Sequence, residues 1–192
     1  MARGFVITGT GARVGKTTIG CALGFAMRAR GMRVGVMKPV DTLESQDAQA
    51  LALAVGSVLP MELICPYRLS SKPSDADLAR ISRCFDEIAA QNDVVLVESA
   101  SMIDFAGIAA MLNLEVILVV GNRPDCVDAT MLALDRCESR VLKVAGCILC
   151  DCDPIPEIND GATLELVKAP YLGRMRHREP LARAIVEKLI LY

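Results

Sequence analysis

The chain has 192 residues, 53% of them hydrophobic and 4% aromatic, with a formal net charge of −2. That length suits one domain, residues 1–192, with a substantial aliphatic core, and the balanced charge without any long basic run excludes a general nucleic-acid partner. No apolar run reaches the roughly 18–20 residues that cross a bilayer, and the N-terminal Met1-Ala2-Arg3-Gly4 lacks the long apolar region of a secretion signal, so a cytoplasmic protein with no membrane partner is expected.

Short apolar runs alternate with longer amphipathic stretches. Phe5–Thr8 reads as a buried strand, and residues 16–30 favour helix up to Gly31. Arg33–Met37 is a second strand, ended by Lys38-Pro39, and Gln46–Val55 a short helix. Residues 56–74, rich in Pro, Gly and Ser, read as loop. A helix is predicted over Asp75–Gln91, with Ser74 or Asp75 as N-cap. Val94–Val97, Val116–Val120 and Val144–Leu149 are β-branched runs of the kind covered on both faces. Helices fit between them near 104–112 and 127–138, and a last one runs over Pro180–Leu191. The alternation predicts an α/β fold: a doubly wound, mostly parallel sheet flanked by helices.

Between the first strand and first helix lies Gly9-Thr10-Gly11-Ala12-Arg13-Val14-Gly15-Lys16-Thr17-Thr18. This is the strand–glycine loop–GKT–helix context of a P-loop. Such a loop turns backbone N–H groups and the positive helix end onto phosphate oxygens. Lys16 would bridge the outer phosphates, and the Thr17 hydroxyl would coordinate Mg²⁺ bound with ATP, the expected nucleotide. Partitioning ATPases carry a second lysine early in the loop, where this chain has Gly11.

The loop resembles that of dethiobiotin synthetases, a P-loop family of the SIMIBI type. The likeness continues through Lys38-Pro39-Val40, Asp47-Ala48, Pro66-Tyr67, Val95-Leu96-Val97-Glu98, Cys126, Ala145-Gly146 and Pro170-Tyr171-Leu172-Gly173. The resemblance implies an ATP-dependent ligase that closes a ureido ring on 7,8-diaminononanoate. Lys16 and Lys38 would stabilise charge on the transferred phosphoryl group, while Thr17, Asp47 and Glu98 would hold Mg²⁺. Cys150 and Gly173 fall at the family's nucleobase-reading positions. A homodimer with the acceptor near the partner chain is also implied. The helix face carrying Val127, Met131 and Leu134 is a candidate interface.

The substrate and nucleobase positions are altered. Ser99-Ala100-Ser101-Met102 replaces a glycine-rich stretch, Arg13 replaces an acidic residue, and Cys150 replaces an asparagine. Asp75-Ala76 stands where the family has a histidine, and Arg176 where it has a proline. These leave two other readings open: a non-catalytic or regulatory nucleotide-binding domain, and a related ligase with a different acceptor. With a thiol at position 150, poor discrimination among nucleoside triphosphates is expected.

Cys147, Cys150 and Cys152 form a C-x2-C-x-C run, which suggests a metal or iron–sulfur site. Strand alternation puts Cys147 and Cys150 on opposite faces, which favours buried or rim thiols. His177, the single histidine, lies in the basic run Arg174–Arg178 and reads as a solvated loop residue.

Overall fold

A computed structural model describes residues 2–41, 46–68, 73–99, 105–151, 167 and 169–190. Six strands form one sheet: β1 (Arg3–Gly9), β2 (Val34–Met37), β5 (Val94–Glu98), β6 (Glu115–Gly121), β7 (Val144–Cys150) and β8 (Tyr171–Met175). Their spatial order is β2-β5-β1-β6-β7-β8, and every neighbouring pair is parallel. The predicted doubly wound α/β architecture is the observed one.

Helices cover both faces, as the unbroken apolar strands require. On β6, Ile117 and Val119 belong to a core with Ile19, Leu23 and Met27 of α1 (Lys16–Arg28), Leu51 of α2 (Asp47–Ala54) and Ile185 of α7 (Arg183–Ile190). On the opposite face Val116 packs with Ile81 and Ile88 of α4 (Asp75–Ala89) and Ile108 of α5 (Phe105–Met111). Leu118 and Val120 pack there with Cys126 of α6 (Cys126–Glu138).

The segment read as loop contains a short helix, α3 (Met61–Ile64), and strand β4 (Tyr67–Arg68), which pairs in parallel with β3 (Val40–Asp41). Pro60 starts α3 and Cys65 ends it within a turn, too short for a helical period to show. The edge strand β8 extends into the basic run, taking in Arg174 and Met175, where a loop was expected. The last helix begins at Arg183 rather than at Pro180. Ser74 caps α4 as expected: its hydroxyl accepts from Asp77 N–H at 3.3 Å, and its own N–H donates to Asp77 Oδ2 at 2.8 Å.

Strand parity carries Cys147 into the α6-side core and Cys150 into the α1-side core. Cys152 lies outside the described residues. Among the described residues no cluster of three or more His, Cys, Asp or Glu forms a metal-holding group of that kind. No described helix is long and apolar enough to cross a membrane.

Candidate active site

The C-terminal ends of β1, β5 and β2 lie side by side, and each delivers a polar element to the same edge. The chain leaves β1 at Gly9 and enters α1 at Lys16. Gly15, the N-cap of α1, has φ 93°, a left-handed conformation that glycine adopts without a β-carbon penalty. Val14 is buried beneath the loop, 2% exposed. A β-carbon on Gly9 would collide with Val14 Cγ2, so loop and plug require glycine there.

The loop is tied to its neighbours. Thr10 N–H donates to Val119 O at 3.0 Å, Gly121 N–H donates to Thr10 Oγ1 at 3.4 Å, and Arg123 Nη2 donates to Arg13 O at 3.4 Å. Gly11 is half-buried, and Ala12, Arg13 and Thr18 are exposed. Arg13 has φ 52°. Lys16 Nζ is folded back onto Gly11 O at 3.3 Å, inside the space that a loop of this shape encloses.

Beside it, one residue from each of four elements converges. Lys38 follows β2; its N–H donates to Ile64 O at 2.8 Å, which fixes its backbone against α3. Its ammonium donates to Glu98 Oε1 at 2.6 Å and to Asp47 Oδ2 at 2.8 Å. Thr17 Oγ1 donates to the same Glu98 Oε1 at 3.0 Å. The Lys38 and Glu98 side chains are 4% and 1% exposed, while that of Asp47, at the start of α2, is 41% exposed. Burial works against the Lys38 charge, but Glu98 and Asp47 outweigh it and hold the ammonium above the usual lysine range. Burial pushes the Glu98 carboxyl upward, opposed by Lys38 and by the Thr17 hydroxyl.

Glu98 Oε2 is buried with no hydrogen-bond partner among the described residues. A buried carboxylate oxygen left bare is costly. An oxygen-seeking divalent cation would satisfy it, and two carboxylates with one hydroxyl are a hard-oxygen donor set of the kind Mg²⁺ uses. The residues present therefore fit that ion.

The structure thus brings Lys16, Thr17, Lys38, Asp47 and Glu98 to one edge. Cys150, expected at the nucleobase, is 2% exposed and packs with Ile148, Leu172 and Met175 in the α1-side core. Gly173 sits inside β8 at φ 152°, where a β-carbon would come within 2.7 Å of Ile185 Cγ1. Packing against α7 accounts for that glycine. Ser99 is 1% exposed, on the face opposite Glu98, and its hydroxyl donates to Thr8 Oγ1 at 3.0 Å. Ala100, Ser101 and Met102 lie outside the described residues.

Two features escaped the sequence reading. Cys21 stands one turn after Thr17, and burial, with Glu98 and Asp47 adding to it, pushes its thiol up to about 11. The i+4 spacing from Thr17 was the available signal. The second is a cross-brace over three strand ends. Arg174 in β8 donates to both oxygens of Asp151, with Nη2–Oδ2 at 2.7 Å, and Asn122 Nδ2 donates to Asp151 Oδ1 at 2.7 Å. No spacing rule announces it, because the three residues meet only through the order β6-β7-β8.

Residues 3–184 match a family model described as an AAA domain. An ATP-dependent dethiobiotin synthetase BioD of Anaeromyxobacter dehalogenans (strain 2CP-C) is 34% identical, over 94% of this chain and 88% of that protein. One from Janthinobacterium sp. (strain Marseille) is 30% identical over 87% and 85%. This chain belongs to the dethiobiotin synthetase family. It is accordingly an ATP-dependent ligase of that type, which sets aside the non-catalytic reading. The fold is shared more widely. The septum site-determining protein MinD with Mg-ADP from Pyrococcus horikoshii OT3 superposes with TM-score 0.61 at 18% identity, over 98% of this chain and 87% of that one. FtsY from Thermotoga maritima superposes with TM-score 0.64 at 18% identity, over 99% and 69%.

Proposed function

We propose that the chain is a Mg-ATP-dependent cyclo-ligase that carboxylates 7,8-diaminononanoate, phosphorylates the carbamate and closes a ureido ring, the chemistry that the family resemblance implies. The observation that carries this reading is the convergence of the Lys38 ammonium on Asp47 and Glu98, beside Thr17 and the phosphate loop.

Phosphoryl transfer needs little covalent help and much positioned positive charge. The loop amides from Gly9 to Thr18 and the α1 N-terminus would bind the phosphates. Lys16, released from Gly11 O, would follow the charge moving toward the leaving diphosphate, and Lys38 would neutralise the oxygens of the transferred group. Held by Thr17, Asp47 and Glu98, Mg²⁺ would supply Lewis-acid polarisation of the phosphate oxygens. A carbamate oxygen would attack the γ-phosphorus, giving a mixed anhydride and ADP. The second amine would then attack the carbamoyl carbon, closing the ring and expelling phosphate.

A related ligase with a different acceptor is the second reading. It is favoured by Arg13, an exposed guanidinium at the loop where the family has an acid, with Arg123 on its carbonyl. We further propose a cytoplasmic homodimer. Val127 and Leu134 pack onto the sheet, whereas Met131 is 52% exposed and available for a partner face. ATP turnover measured with and without diaminononanoate and bicarbonate tests the function. Stimulation by both, abolished in Lys16→Ala, is expected; turnover indifferent to the diamine would favour another acceptor. Light scattering at micromolar concentration tests the dimer, and a monomer mass with and without ATP would remove it.

A further inference from the structure

Lys38 is a catalytic lysine in the reading above, yet its ammonium is bonded to both carboxylates assigned to the metal. It occupies the space between the two carboxylates assigned to the metal, 2.6 Å from Glu98 Oε1 and 2.8 Å from Asp47 Oδ2. We propose that Lys38 is the resident counter-ion of the Thr17–Asp47–Glu98 pocket and is displaced when a divalent cation enters, so that metal loading is the event that frees Lys38 for the phosphoryl group.

A magnesium ion needs ligand oxygens at about 2.0–2.1 Å, and an ammonium bonded to those same oxygens lies inside the volume the ion and its ligands require. Two like-charged cations at that separation repel strongly beside a Glu98 side chain that is 1% exposed. Among the described residues, the Asp47 and Glu98 carboxylates share the Lys38 ammonium. With metal, the dication balances both carboxylates and the ammonium becomes surplus.

The chain allows the exchange. Lys38 is anchored by its backbone, through its N–H to Ile64 O, so its four-carbon stem can swing without moving the strand end. Glu98 is anchored independently of Lys38 by the Thr17 hydroxyl, and its second oxygen has no partner among the described residues. The ammonium therefore satisfies half of a carboxylate that a metal could satisfy more fully.

This inference rests on reading the pocket as the metal site, and the test separates the two. Mn²⁺ alone, as MnCl₂ without nucleotide, is titrated into the protein and followed by electron paramagnetic resonance. Wild type should bind weakly, and Lys38→Met at least tenfold more tightly. Lys16→Met, which removes the nearby cation bonded to Gly11 O, should gain several-fold less. Equal gains in the two variants would make the effect one of general charge and overturn displacement, as would no gain in Lys38→Met. No Mn²⁺ binding by any of the three proteins at millimolar metal would instead overturn the metal-site reading itself. Should Lys38→Met fail to fold, wild type carrying ¹³C at the lysine ε-carbon gives the answer. The Lys38 resonance should move on saturation with MgCl₂ and not with KCl at equal ionic strength, and an unmoved resonance overturns the proposal.

Discussion

Gly9→Ala tests the geometry of the loop directly. An ideal β-carbon there would overlap Val14 Cγ2 and lie 3.1 and 3.3 Å from Lys16 Cγ and Cδ. Carbon atoms rest at about 3.5–4.0 Å, so the loop or its plug must give by roughly 1 Å. Val14 cannot retreat without disturbing the core below it, since it is 2% exposed. Overpacking of this kind costs about 1–3 kcal/mol. For a chain of this size 2 kcal/mol lowers the melting temperature by about 4–8 °C. Displacing the Lys16 stem by about 1 Å should also reduce turnover by roughly 100-fold. Val14→Ala removes the clashing methyls at a cost of about 1.6 kcal/mol, from two methyl groups at ~0.8 each. The double variant should therefore be more stable than the sum of the singles by about 1–3 kcal/mol. Melting curves and ATP turnover of the four proteins complete the cycle. Strict additivity, or wild-type melting in Gly9→Ala, would refute the argument that the plug dictates glycine at this position.

Glu98→Gln should abolish turnover and remove any Mg²⁺-dependent rise in melting temperature, since it replaces one carboxylate of the pocket with an amide; a retained rise would place the ion elsewhere. Ser74→Ala should cost about 1 kcal/mol through the lost helix cap, read from the denaturation midpoint. The Asp77 carboxyl is held below its ordinary range by Ser74. Its stabilising part is therefore present above the ordinary carboxylate pKa and disappears as pH falls through the lowered folded value. The difference between wild type and Ser74→Ala should accordingly shrink in acid, and a difference constant down to pH 2 would contradict it.

What could be read in advance follows from the range of the interactions. The loop was legible because its requirements are local: Gly15 at φ 93° and a GKT run entering a helix. The central strands were legible because continuous apolar runs need cover on both faces. Strand β8 was not, because Gly173 and Arg174 interrupt its apolar pattern and its burial alternates irregularly. Lys38, Asp47 and Glu98 could be proposed as a set, but not the direct bonding of Lys38 to both carboxylates. That depends on β2 lying next to β5, a fact of topology that no local spacing carries.

The nucleobase position shows how far a one-residue difference reaches. Chain alignment by residue type places Cys150 where the family has its asparagine, but parity along β7 sends that side chain into the core and leaves Asp151, just past the strand end, in the brace with Asn122 and Arg174. Asn122 directly follows Gly121, whose N–H donates to Thr10 Oγ1 in the loop, so the brace borders that loop, while the Cys150 side chain packs in the α1-side core. Cys150→Ala should therefore lower stability through lost packing while leaving the ATP-to-CTP affinity ratio unchanged. Arg174→Ala should act differently. It removes the guanidinium from an Asp151 carboxylate that is 13% exposed, a loss of about 2 kcal/mol or more for a pair this sheltered. The slackened strand ends should then weaken ATP and CTP binding together. Calorimetry with both nucleotides on both variants decides the matter. A shift of the ratio in Cys150→Ala by about tenfold, equivalent to 1.4 kcal/mol, would mean that the thiol reaches the base after all and that the brace is only scaffolding.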